Sequence, residues 1–177
     1  MKKLFVIAAL AALPLTVSAK GFYVQGDLGV SNLHIVDTED NDLPNKAVFT
    51  QRISVGYDFE RFRIAVDYTN FGKAKFDDYG ASFKIQSFGV SGFYDFRNSS
   101  RFTPYVGARV GYSIAKITDY DLYFPETERK TSNSIGVLGG VQFSITDNFA
   151  LNLGLEYNRL ASDFGQFGGQ VGLRYSF

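Results

Sequence analysis

The stretch Phe167-Gly-Gly-Gln-Val-Gly-Leu-Arg-Tyr-Ser-Phe177 decides how this chain folds. Taken in twos, Phe167, Gly169, Val171, Leu173, Tyr175 and Phe177 form one face, and Gly168, Gln170, Gly172, Arg174 and Ser176 form the other. A strict period of two over about ten residues is a β-strand whose two faces meet different surroundings. The first face is apolar with rings at both ends; the second is polar or tiny. Rings at the ends with aliphatics between them are the pattern of a strand facing lipid. The plainer alternative is the edge strand of a soluble sandwich, and the rest of the chain decides against it.

The same period recurs upstream in seven further segments, near 22–30, 48–59, 62–69, 87–96, 105–114, 134–145 and 149–158. In the third, Phe62, Ile64, Val66 and Tyr68 oppose Arg63, Ala65, Asp67 and Thr69; in the seventh, Phe149, Leu151, Leu153, Leu155 and Tyr157 oppose Asn152, Gly154, Glu156 and Asn158. The upper part of the fourth, Phe83 and Ile85, falls out of phase with the rest. Long polar connections at about 31–46, 70–81 and 117–132 alternate with tight turns at Asp58–Arg61, Arg97–Arg101 and Thr146–Asn148, and a short loop near 160–166 precedes the last strand. Short turns on one side and longer loops on the other are the plan of an outer-membrane barrel, with periplasmic turns and external loops. Pairing of the first strand with the last would leave no open edge. The expected fold is therefore all-β: an eight-stranded antiparallel transmembrane β-barrel over residues 20–177.

The rings agree with this plan. Phe22, Tyr57, Phe62, Tyr94, Phe102, Phe143, Phe149, Tyr175 and Phe177 would form a girdle at the turn side. Tyr68, Phe88, Tyr112, Tyr157 and Phe167 would form one at the loop side. A soluble lipocalin-like barrel would carry its polar residues outside, whereas here the charges share a face with Gly and Ser.

Composition points the same way. The 177 residues hold 18 Gly, 18 Phe and 11 Tyr but only 4 Pro, which suits strands and turns. With no cysteine, disulfides, thiol chemistry and a lipid-anchored Cys are excluded. Lys plus Arg and Asp plus Glu are 18 each, which argues against nucleic acid as a partner. At the start, Lys2 and Lys3 precede an apolar run from Leu4 to Leu15, and Val17-Ser18-Ala19 ends it with small residues. This reads as a secretory signal peptide over residues 1–19, cleaved between Ala19 and Lys20. The apolar run is shorter than the roughly 20 residues a membrane helix needs.

Three constellations could carry function. Asp27, Asp67 and Glu156 share the inward phase with Arg52, Arg63, Arg109 and Arg174. One reading is a gated ion path or proton relay; the other is a ladder of salt bridges filling the lumen. A barrel of eight strands is only wide enough for its own side chains, and buried charges must be paired, so the ladder is expected. Enzymatic chemistry needs a base beside a nucleophile or water. The single histidine, His34, stands in or beside the first loop near Asp37, and no cofactor is implied. The acids at Asp37–Asp42 lack calcium-loop spacing. In the third loop, Tyr120, Tyr123 and Phe124 lie among mixed charges, as protein-contact anchors do, or as rings packing on the barrel rim would.

The segments Gly21-Phe-Tyr-Val-Gln25, Arg52-Ile-Ser-Val-Gly-Tyr57, Arg63-Ile-Ala-Val-Asp-Tyr-Thr69, Tyr94-Asp-Phe96, Pro104-Tyr-Val-Gly-Ala-Arg109, Leu155-Glu-Tyr-Asn158 and Gly172-Leu-Arg-Tyr175 together resemble the opacity-protein family of bacterial outer-membrane barrels, the opacity family porins. The resemblance runs through every strand and fades in the loops. It implies an integral outer-membrane protein among lipid and lipopolysaccharide, inserted by the barrel-assembly machinery. Val171, Leu173, Tyr175 and Phe177 resemble the signal that this machinery reads. It also implies surface loops that, in several members, bind host molecules. The expected function is thus non-enzymatic adhesion, or binding of a host surface or serum protein. A structural membrane protein, or a small-solute porin with a side-chain-filled lumen, is the other reading.

Overall fold

The computed structural model describes residues 21–35, 46–76, 81–119, 126–160 and 164–177. Eight strands follow in chain order: β1 (Gly21–Ile35), β2 (Lys46–Asp58), β3 (Phe62–Phe76), β4 (Ala81–Asp95), β5 (Phe102–Asp119), β6 (Glu126–Ser144), β7 (Phe149–Leu160) and β8 (Phe164–Ser176). Each pairs antiparallel with its sequence neighbours, and β1 pairs with β8 from Tyr23–Ser176 to Ile35–Phe164, which closes the barrel. The Phe177 N–H donates to the carbonyl of Phe22 at 3.0 Å and completes the seam. The all-β barrel expected from the alternation is the fold observed.

Closure follows from hydrogen-bond supply. In hydrocarbon no water satisfies an exposed strand edge, so every backbone group must find its partner within the sheet. The alternating side chains then sort by solvent. Leu28, Ile53, Val66, Val110, Ile135 and Leu153 all stand outward and exposed, Ile135 at 63%. Such an apolar exterior would be an aggregation hazard in water and is the ordinary surface of a protein in lipid. The aromatic belt at the turn side is continuous in pairs. Phe22–Tyr57, Phe62–Tyr94, Phe102–Phe143 and Phe149–Tyr175 have ring centroids 4.8–5.1 Å apart, and Phe59, Phe96 and Phe177 extend it. At the other side the register aligns Tyr68, Phe88 and Tyr112 across β3–β5, and Tyr157 with Phe167 across β7–β8.

The strands run further outward than the sequence suggested. The connections expected at 31–46, 70–81 and 117–132 give way to strand up to Ile35, from Lys46, up to Phe76, from Ala81, up to Asp119 and from Glu126. A membrane-spanning strand needs about 9–11 residues, and β5 and β6 have 18 and 19. Beyond the membrane both faces of a hairpin meet water, so the backbone ladder continues while the apolar alternation that marks a strand disappears.

The out-of-phase segment has a local cause. Between Asn70–Gln86 and Lys73–Lys84 the β3–β4 register shifts, so Phe71 and Gly72 together stand opposite Ile85. This is a β-bulge, and Gly72 supplies the φ of +70° within it. Phe71 is fully buried in the lumen, and Ile85 lies in the same inward phase as Ser87 and Ser91. At Ile85 the fourth strand's alternation therefore does not break; that inward position is simply apolar.

Candidate functional site

The lumen gathers all seven inward charged residues singled out from the sequence, six of them in two clusters rather than one ladder. Near the turn side, Arg63 grips Asp95 through three bonds, Nε to Oδ2 at 2.7 Å and to Oδ1 at 3.0 Å, and Nη2 to Oδ1 at 2.8 Å. Its guanidinium lies 4.6 Å from the Phe93 ring centroid and 5.1 Å from that of Tyr105, both within cation–π range. Arg174 stacks 4.0 Å from the Tyr23 centroid, donates to Gln142 Oε1 at 2.8 Å, and pairs with Asp58 Oδ2 at 2.6 Å. Asp58 is shared: Arg97 reaches it from the turn at 2.8 Å, and its Oδ1 accepts the Glu60 N–H at 2.8 Å. That last bond pins Glu60 at a φ of 78° in the tight turn.

Toward the loop side, Arg109 holds Asp67, with Nη2 to Oδ1 at 2.7 Å and Nε 3.1 Å from both oxygens. Arg52 bridges this pair to the next acid, lying 3.7 Å from Asp67 and 2.6 Å from Glu156 Oε2. Hydroxyls and amides take up part of the remaining capacity, while Arg109 Nη1 has no hydrogen-bond partner among the described residues. Thr69 Oγ1 accepts from Arg52 Nε at 2.8 Å, Ser87 Oγ accepts from Arg109 Nη2 at 3.1 Å, and Gln166 Nε2 donates to Glu156 at 3.0 Å and to Ser31 at 2.7 Å. Phe71 and Val48 are buried at the loop-side end of this polar column.

Asp27 belongs to neither cluster. Its Oδ1 accepts from Gln25 Nε2 at 2.8 Å and from Asn152 Nδ2 at 3.2 Å, and no arginine pairs with it among the described residues. Between the clusters lies a cavity of about 20 Å³, bordered by Tyr23, Asp27, Arg63, Tyr105, Leu138 and Asn152. One water needs roughly 10–15 Å³ measured this way, so the space holds about one.

Sequence reasoning left Asp58 and Asp95 out of the charged set, and both are buried partners of arginines. Each stands in the inward phase of its strand, two residues beyond Gly56 and Phe93, and that phase was the available signal. Asp58 opens a tight turn and reads as turn chemistry, while Asp95 reads as one more polar residue of its strand's inner face. Arg97, half-exposed at the mouth, also goes unsignalled, because its pairing depends on two neighbouring turns meeting.

The other candidate residues fall as follows. Val171 and Leu173 are exposed on the lipid side of β8 with Tyr175, whose ring lies 5.0 Å from that of Phe177. His34 sits opposite Gly165 in the β1–β8 register. Tyr120, Tyr123 and Phe124, the cleavage pair Ala19 and Lys20, and the signal segment lie outside the described residues.

Known proteins share this architecture. Residues 55–177 match the model of the opacity family porin proteins. An uncharacterized protein of Haemophilus influenzae is 46% identical over 183 residues, covering all of both chains. The protein opa of the same organism is 36% identical over 131 residues, covering 70% of this chain and all of its own. Among solved structures, the neisserial surface protein A barrel superposes with a TM-score of 0.73 at 32% identity, covering 89% of this chain and 97% of that one. The chain belongs to the opacity family and is an integral β-barrel protein of the outer membrane.

Proposed function

We propose that this protein is a non-enzymatic surface protein whose external loops mediate adhesion or bind a host factor. One observation carries the reading: the lumen is filled by its own paired side chains, with a cavity of only about 20 Å³ between the clusters. Solute passage through the barrel axis then has no route, and recognition falls to the outer rim. The outer ends of β1–β6 extend the strands beyond the length that spans a membrane. Aromatics among mixed charges, as at Tyr120, Tyr123 and Phe124, are the residue types that anchor protein interfaces. The test is a chimera in which the segments at 36–45 and 120–125 are exchanged for those of an unrelated eight-stranded barrel. Cells displaying the wild-type barrel should adhere to host cells and cells displaying the chimera should not. Adhesion that survives the exchange would leave the barrel with a structural role only.

A further inference from the structure

The rings of the lumen lie where glycines leave room for them. Tyr105 of β5 is directly paired with Gly140 of β6, and Gly140 with Gly154 of β7. A Cβ placed on Gly140 would stand 2.7 Å from the Tyr105 hydroxyl oxygen, and one on Gly154 would stand 2.6 Å from it. The side chain therefore lies flat across β6 and ends over β7. It is buried there, with the Phe93 ring edge-on at 5.7 Å and the Arg63 guanidinium at 5.1 Å. Two further rings follow the pattern. Tyr23 covers Gly56, its partner in β2, and Phe93 covers Gly107, its partner in β5; in each case a ring carbon is 2.6 Å from where a Cβ would be.

Tyr105 is set apart because one register alone accepts it. Successive residues of a strand face opposite sides, so a slip that keeps the lumen polar and the wall apolar moves by two residues. A slip of two in β6 would put Leu138 or Gln142 under the ring in place of Gly140. A slip of two in β7 would bring the buried side chain of Asn152 or Glu156 in place of Gly154. Register is weakly specified in glycine-rich strands, and β6 carries Gly136, Gly139 and Gly140. Gly140 also faces the Leu153 carbonyl oxygen. Around a Gly154 Cβ, by contrast, the next atoms after the hydroxyl are Gln170 Cγ and Nε2 at an ordinary 3.5 Å. The Tyr105 hydroxyl is what requires glycine at 154.

We propose that Tyr105 is the register key of β5–β7, a positioning residue that selects the native pairing of these three strands as the barrel closes, with Gly140 and Gly154 as its lock. The chain has no cysteine, so cysteine pairs introduced on the lipid face report register in the refolded full chain. Val110→Cys with Ile135→Cys reads the native β5–β6 pairing, and Val110→Cys with Val137→Cys or Asn133→Cys reads slips of two. With the lumen unchanged, the native cross-link alone should form. Tyr105→Ala should lower the ratio of native to slipped cross-links by roughly 10-fold. Gly154→Ala should lower it too, and adding Tyr105→Phe should restore it, because the hydroxyl is the atom in the way. An unchanged ratio in Tyr105→Ala would overturn the proposal. So would a Gly154→Ala chain that pairs natively, or one whose defect Tyr105→Phe leaves in place. The Gly154→Ala comparison decides the matter even if Tyr105→Ala yields no folded barrel.

Discussion

At the scale of the residue, the lumen is governed by the cost of leaving a charge alone in it. Replacing a buried ion pair with apolar groups can be neutral, whereas removing one partner strands the other. Arg109 is the sharpest case, since it is 1% exposed and makes three contacts to Asp67. Arg109→Ala leaves Asp67 with only the more distant Arg52, at 3.7 Å. The expected loss is about 3–5 kcal/mol, read as a lower unfolding temperature of the refolded barrel in detergent. Asp67→Asn combined with Arg109→Met should recover most of it, because no charge is then stranded. A single variant as stable as wild type would show that the pair does not hold the lumen together. Which arginines and acids face inward is legible from period two alone. Which arginine takes which acid is not: Arg174 and Asp58 are 116 residues apart and meet only because the barrel closes.

At the scale of the element, the bulge in β3 sets the lumen's outer plug and the register of β3 with β4 beyond it. Gly72 holds a φ of +70°, and a Cβ there would lie 2.8 Å from the backbone carbonyl oxygen of Phe49. Gly72→Ala should therefore cost about 1–2 kcal/mol from the backbone conformation, with the contact added to it. Gly26 is the matched control, an outward glycine of β1 whose Cβ would meet no atom within 4 Å. Gly26→Ala should be neutral or slightly stabilising, since Gly is a poor strand residue. Thermal melts of both refolded variants check the pair, and equal melting temperatures would remove the bulge's claim to strain. The sequence shows an apolar pair out of phase at Phe83 and Ile85 but not the bulge beside it. That bulge sits on the partner strand, where nothing in β4 can report it.

At the scale of the whole molecule, the barrel separates two jobs. Its wall holds the protein in lipid, and among the described residues its interior is filled by paired side chains. Planar-bilayer recordings of refolded protein should show no large, steady conductance, because two salt-bridged clusters and the rings of Tyr23, Phe93 and Tyr105 interrupt the axis. A stable open state would mean that the clusters rearrange.

The order of residues along the chain determined the strands, their inward and outward faces, the girdles and the membrane as solvent, because each is written in local alternation. Tertiary structure decided where the strands stop, how the charges divide into two clusters around Asp27, and where the β3–β4 register shifts. These depend on register, and register is set between strands rather than along them: a one-residue shift, such as the bulge at Phe71–Gly72, changes the face and the partner of every residue beyond it.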